Sequence, residues 1–184
     1  MIFATTPLAG LFIVEIESHV DDRGLFARTW CEREFEAQGL ETRLVQCSVS
    51  YNNLTGTLRG LHYQTAPYEE VKLVRCTSGS IFDVAVDLRP DSPTFGQHFA
   101  AVLSSTNRRM LYIPHGFAHG FQTLEDRTEV FYQMSEFYSP DHARGVRWND
   151  PAFGIVWPST EHRIMTDRDK TYPDFQPSRM GRQS

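Results

Sequence analysis

What most limits how this chain folds is the brevity of its apolar stretches. Apolar and β-branched residues alternate or cluster over Leu11–Ile16, Leu44–Ser50, Lys72–Cys76, Ser80–Leu88, His98–Leu103, Arg109–Ile113, Glu129–Met134 and Val146–Trp148, and Gly, Pro, Asn or Asp separates one run from the next. Runs of this length predict strands, and many short strands without a long helical pattern between them predict an all-β sandwich or barrel of jelly-roll type. One or two short helices are expected at most. Glu32–Gln38 is rich in Glu and followed by Gly39 as a stop signal, and a single turn is expected near Ser104–Asn107.

A chain of 184 residues is long enough for one well-buried domain, expected to span residues 1–184, and short for two. Its last segment, Gln176–Ser184, is polar, carries Pro and Gly, and is expected to fray. The formal net charge of −5 argues against a nucleic-acid binder, which needs a basic face to meet phosphates. No apolar run approaches the roughly 18 residues that span a bilayer. Met1–Thr6 lacks the positive start and long apolar centre of a signal peptide, so the expected location is the cytoplasm. Cys31, Cys47 and Cys76 form no CxxC pair, and reduced thiols are expected.

The chemistry concentrates in Gly56-Thr57-Leu58-Arg59-Gly60-Leu61-His62-Tyr63-Gln64, with Lys72 shortly after and Pro114-His115-Gly116-Phe117-Ala118-His119-Gly120 downstream. The spacing resembles the two histidine motifs of cupins, in which a His-x-His pair, a Glu and a later His hold a metal. Here Gln64 replaces the second His. That leaves His62, Glu69 or Glu70, and His119, a poor donor set for a transition metal, so neither metal nor cofactor is expected. An imidazole between Arg59 and Lys72 suits proton abstraction from an anionic substrate instead. Taken without its motif, His62 reads equally well as a hydrogen-bonded core histidine.

Several blocks together resemble the dTDP-4-dehydrorhamnose 3,5-epimerase family from about Leu8 to Pro173. They are Asp22-Arg23-Gly24-Leu25-Phe26, Leu58 to Gln64, Lys72-Leu73-Val74-Arg75, Asp83 to Arg89, Ser92-Pro93-Thr94-Phe95-Gly96, Pro114 to Gly120, and Asn149-Asp150-Pro151. The resemblance implies a cupin-type jelly roll that epimerises a nucleotide-linked 4-keto-6-deoxyhexose at C3 and C5, or at C3 alone, through an enolate. It makes His62 the base, Asp169 the carboxylate that orients it, Lys72 the cation at the keto oxygen and Tyr132 the proton donor. It assigns substrate contacts to Arg23, Phe26, Gln46, Ser48, Arg59, Asp83, His119, Tyr138 and Arg168, with Arg59 and Arg23 on the diphosphate. Arg23 and Phe26 are implied to reach a neighbouring subunit's site in a homodimer that exchanges N-terminal strands.

Two positions depart from the family's pattern. Its usual Asp-x-Arg-Gly-x-Phe-x-Glu ends here in Arg28, and its Gln-x-Asn becomes Gln46-Cys47-Ser48. Both fall on the nucleotide end, so CDP, GDP and UDP stand beside dTDP as carriers. Three other readings compete: a metal-dependent cupin enzyme, a ketoisomerase that moves the keto group between C4 and C3, and a silent nucleotide-sugar binding protein.

Overall fold

The computed structural model describes residues 1–176. Its elements, in order, are β1 (Ile2–Thr5), β2 (Phe12–Glu15), β3 (His19–Asp21), β4 (Gly24–Phe26), α1 (Glu32–Ala37), β5 (Gln46–Asn52), β6 (Leu58–Gln64), β7 (Lys72–Ser78), β8 (Ser80–Asp87), β9 (His98–Ser104), β10 (Met110–Ile113), β11 (Phe117–Thr123), β12 (Thr128–Met134), β13 (Ala143–Gly145) and α2 (Asp167–Lys170). They form a six-stranded sheet in the order β1-β2-β10-β7-β12-β5 and a five-stranded sheet in the order β13-β6-β11-β8-β9; β3 and β4 pair only with each other. All pairings between named strands are antiparallel, the jelly-roll arrangement expected.

Three apolar layers hold the sheets. The inner layer, with Val74, Cys76, Ile81, Ala85, Phe117, Phe121 and Val130, fills the space between them. The outer face of the six-stranded sheet, through Val14, Leu73, Met110 and Tyr112, is covered by α1. Phe35 of α1 is 1% exposed and meets Phe3 edge-on at 5.1 Å; burying such a ring stabilises the fold by about 2–3 kcal/mol. The outer face of the five-stranded sheet, through Leu61, Val84, Val86 and Ala118, is covered by Val146, Phe153, Ile155 and Trp157 from the chain after β13. This double coverage explains why β8 and β11 are buried along almost their whole length.

The expected strands appear with ends shifted by a residue or two, except Val146–Trp148. That run follows β13, and only its first residue continues the pairing: Val146 exchanges backbone hydrogen bonds with Leu61 of β6, at 3.0 and 3.3 Å, while its side chain packs in the layer outside the sheet. The tail expected to fray lies outside the described residues from Pro177 onward. No described helix is long and apolar enough to cross a membrane, and all three cysteines are free thiols.

Strand β6 carries an irregularity on which the site depends. Arg59 sits opposite Phe121 and His62 opposite His119, so a step of three residues on β6 matches a step of two on β11. In a regular strand, residues three apart point to opposite faces. The extra residue brings Arg59 and His62 to the same face. Gly60 and Gly120 permit it: a Cβ on Gly60, where φ is +127°, would lie 2.6 Å from Gly120 Cα and 2.9 Å from His119 O. Both obstacles are backbone.

Gly60→Ala is therefore expected to destabilise the protein by about 3 kcal/mol, from overpacking and backbone strain together, lowering Tm by roughly 6–12 °C. Gly96→Ala is the control, because its φ is +75° but nothing lies within 4 Å; it is expected to lose only about 1–2 kcal/mol. Equal losses in calorimetry would refute the close-approach account.

Candidate active site

A cavity of about 540 Å³ opens between the sheets, lined by β5, β7 and β12 on one wall and by β6, β11, β13 and α2 on the other. His62, Tyr132, Asp169, Lys72, Gln46, Ser48, Arg59, His119, Tyr138 and Arg168 all line it. Period two explains part of this convergence. On β7, Lys72 continues the inward row of Val74 and Cys76, and on β5, Gln46, Ser48 and Ser50 share the cavity face.

His62 Nε2 lies 2.8 Å from Asp169 Oδ1, and the other oxygen, Oδ2, accepts the Gly60 N–H at 3.2 Å. Asp169 is 4% exposed. It rides on α2, whose N-cap Thr166 accepts the Asp169 N–H through its hydroxyl. Burial pushes the Asp169 carboxyl up, but the hydrogen bond and charge of His62, with Gly60 and Thr166, outweigh it and hold the group below its ordinary value.

Across the cavity, Tyr132 on β12 meets the His119 ring edge-on at 6.0 Å. Burial, reinforced by the charge of Asp83 and opposed by Arg59, raises the Tyr132 phenol far above its usual range, so it stays protonated at neutral pH. Lys72 Nζ is 3.0 Å from Glu70 Oε1. Arg59 Nε donates to Asn52 Oδ1 at 2.8 Å, and Asn52 is itself buried and donates to the Ser50 and Thr128 carbonyls. Gln46 Oε1 accepts the Tyr138 N–H at 2.6 Å. The Arg168 guanidinium lies 5.8 Å from the centre of the Tyr172 ring.

Three of the expected substrate contacts do not line this cavity, of which Arg23 and Phe26 are expected at a neighbouring subunit's site. Asp83 is fully buried and absent from the cavity lining, with Oδ1 2.8 Å from His119 Nε2. Arg23 and Phe26 stand on the β3–β4 hairpin away from the cavity, with the Arg23 side chain 90% exposed. The residues weighed as metal ligands have other partners: His62 has Asp169, Glu70 has Lys72 and His119 has Asp83. The Gln64 amide is occupied by the Tyr68 and Phe137 carbonyls and the Ser139 N–H. Among the described residues no group of three or more His, Cys, Asp or Glu comes together as a metal site.

Sequence reasoning missed Asn52, Arg144, Tyr172 and the pairing of Glu70 with Lys72. It also missed α2 as a helix, although Thr166-x-x-Asp169 carries a capping signal. Asn52 and Tyr172 give no such sign, because each acts through a neighbour brought up by the fold.

A jelly roll with this cavity between its sheets is the architecture of a cupin-type sugar epimerase. The family model for dTDP-4-dehydrorhamnose 3,5-epimerase matches residues 5–177. The dTDP-4-dehydrorhamnose 3,5-epimerase of Methanothermobacter thermautotrophicus is 44% identical over 92% of this chain and 92% of its own length. The Bacillus anthracis enzyme of that name, solved with TDP and PPi bound, superposes with a TM-score of 0.90 at 42% identity, covering 94% of this chain and 98% of that one. The dTDP-6-deoxy-D-glucose-3,5-epimerase of Legionella pneumophila, in complex with dTDP-4-keto-L-rhamnose, gives 0.86 at 37% identity over 91% and 88%. The chain belongs to the dTDP-4-dehydrorhamnose 3,5-epimerase family.

The Asp169 shift has a consequence for stability. A carboxyl held below its ordinary value of 3.8 stabilises the fold above that pH and loses its contribution as pH falls through the lowered value. Wild type is therefore expected to exceed Asp169→Asn in unfolding free energy at neutral pH, and the gap is expected to close in acid. A gap in urea titrations that stays constant from neutral pH down to acid unfolding would contradict this.

Proposed function

We propose that the protein inverts C3 and C5 of a dTDP-linked 4-keto-6-deoxyhexose, with His62 as base and Tyr132 as acid. The C4 ketone acidifies the hydrogens on both neighbouring carbons, so an enolate forms and is reprotonated without a cofactor. Asp169 fixes the His62 tautomer and stabilises the imidazolium that forms. Lys72 faces the charge that develops on the ketone oxygen. Arg59 and Arg168 hold the diphosphate, for which a planar guanidinium fits well. Gln46 and Ser48 lie toward the nucleotide, Tyr138 lines the sugar pocket, and His119 bonds to the sugar.

One observation carries the reading: the two proton-transfer groups belong to opposite sheets, His62 to β6 and Tyr132 to β12. A proton taken from one side and returned from the other inverts a carbon, whereas one group acting alone returns it to the face it left. The nucleotide follows the relatives, since the Bacillus anthracis structure holds TDP and the Legionella pneumophila structure dTDP-4-keto-L-rhamnose. At the position of the first departure, Arg28 is exposed and paired with Glu34 at 3.2 Å.

The reading includes a cytoplasmic homodimer of one-domain subunits. Within the chain β1 pairs with β2, and β2 pairs with β10. The segment free to cross to a second copy is thus the β3–β4 hairpin, with Val20 and Phe26 each 77% exposed, rather than the first strands.

The test is NMR in deuterium oxide with dTDP-4-keto-6-deoxyglucose. Wild type is expected to place deuterium at C3 and C5, and His62→Ala to slow exchange by about 10²–10⁴-fold. Tyr132→Phe is expected to keep exchange on the side His62 reaches while losing inversion. Label at C3 alone would restrict the reaction to that carbon, and movement of the ketone without inversion would replace the reading with a ketoisomerase. The same sugar on CDP, GDP or UDP is expected to turn over more slowly than on dTDP.

A further inference from the structure

Lys72 is held on a built support. Its ammonium is 3.0 Å from Glu70 Oε1, and the two side chains are only 11% and 12% exposed. Glu70 lies in the segment between β6 and β7, which is pinned along its length. Gln64 Nε2 donates to Tyr68 O at 2.8 Å, Val71 N donates to Ser135 Oγ at 2.8 Å, and the Tyr68 ring packs on His142 at 4.5 Å. Gln64 Nε2 also reaches Phe137 O at 3.2 Å and comes within 3.5 Å of Glu70 Oε2.

Building on the reaction proposed above, we infer that Glu70 is a positioning residue for Lys72, delivered to it by the segment that Gln64 braces. A lysine has a long flexible stem and three donor protons. Left alone between two sheets, its ammonium lacks a partner for its charge and swings toward water. With one proton engaged by Glu70, the stem is fixed and the remaining protons face the cavity. The orientation needed at a developing oxyanion is then present before substrate arrives, which is the condition under which such a donor is effective. Gln64, which stands where a metal-binding cupin has its second histidine, spends its amide holding this support together.

The experiment compares Glu70→Ala, Glu70→Gln and the Lys72→Ala/Glu70→Ala pair in steady-state epimerisation, with melting temperatures alongside. Glu70→Ala is expected to lower kcat by about 10- to 100-fold, less than the loss of an oxyanion donor outright, with KM changed by less than about threefold because substrate binding rests on the arginines. Glu70→Gln is expected to recover most of the loss, since an amide oxygen accepts the same hydrogen bond. In the Lys72→Ala background, removing Glu70 is expected to change kcat no further. A wild-type kcat in Glu70→Ala overturns the inference, and so does a loss that persists undiminished without Lys72. Should Glu70→Ala not fold, Glu70→Leu, which fills similar space without accepting a hydrogen bond, gives the same cycle in both backgrounds. Failure of the wild-type protein itself to exchange deuterium defeats the proposed reaction instead, which keeps the two outcomes apart.

Discussion

The backbone contact between Gly60 and Gly120 is the constraint on which the site rests. It lets β6 carry one more residue than β11 between the paired positions, and that residue turns both Arg59 and His62 inward. The same bulge supplies the Gly60 N–H that Asp169 accepts, while the other Asp169 oxygen holds His62. One carboxylate therefore reads both the shape of the strand and the orientation of the imidazole. α2 is short, and Thr166 caps it so that Asp169 arrives at a fixed height above β6. Packing, backbone register and the candidate base are thus a single mechanical unit.

Charge in the cavity follows a second rule, which is that each buried ionic group has a partner chosen by topology. Asp83, on β8, reaches His119 because β8 and β11 are neighbours. Glu70 reaches Lys72 because a braced segment returns it to the start of the strand that carries the lysine. Asn52 fixes Arg59 through a neutral contact, which leaves the guanidinium charge uncompensated by any acid at that contact. An anionic ligand consequently meets arginine charge at one end of the cavity and a lysine already partly neutralised at the other.

Much of this was legible in the residue pattern. Val74 and Cys76 alternate into the core with Lys72 at the cavity end of the same row, and Gln46, Ser48 and Ser50 line the cavity from β5. The helix before Gly39 is where Glu32 and its neighbours indicated. What escaped the pattern did so for physical reasons. β11 is buried on both faces and holds His and Gly among its apolar residues, so it does not alternate. Val146 is apolar because its side chain packs in the layer outside the sheet, and the pairing it shares with Leu61 ends there instead of running on to Trp148. The family resemblance makes Asp83 a substrate contact, yet it lies buried against His119, which itself lines the cavity. Partners such as Glu70 and Asn52 depend on where a connection lands, and local sequence does not encode that.

On the proposed mechanism, the assignment of base and acid to different sheets also bears on how two carbons are served by one pair of groups. The walls are hydrogen-bonded sheets packed through a common apolar layer, so the separation between β6 and β12 is set by the core and not by the ligand. On the proposed mechanism, the ketone oxygen stays with Lys72 while first one and then the other neighbouring carbon comes into line between His62 and Tyr132. The walls cannot follow that change, so the movement belongs to the sugar. A cavity of about 540 Å³, within the range of small-molecule sites, gives the ring room to turn about the axis from the carbonyl to the anchored diphosphate. On that mechanism the proton-transfer groups serve both carbons alike, so whether one or two is inverted turns on how freely the ring moves against the cavity wall.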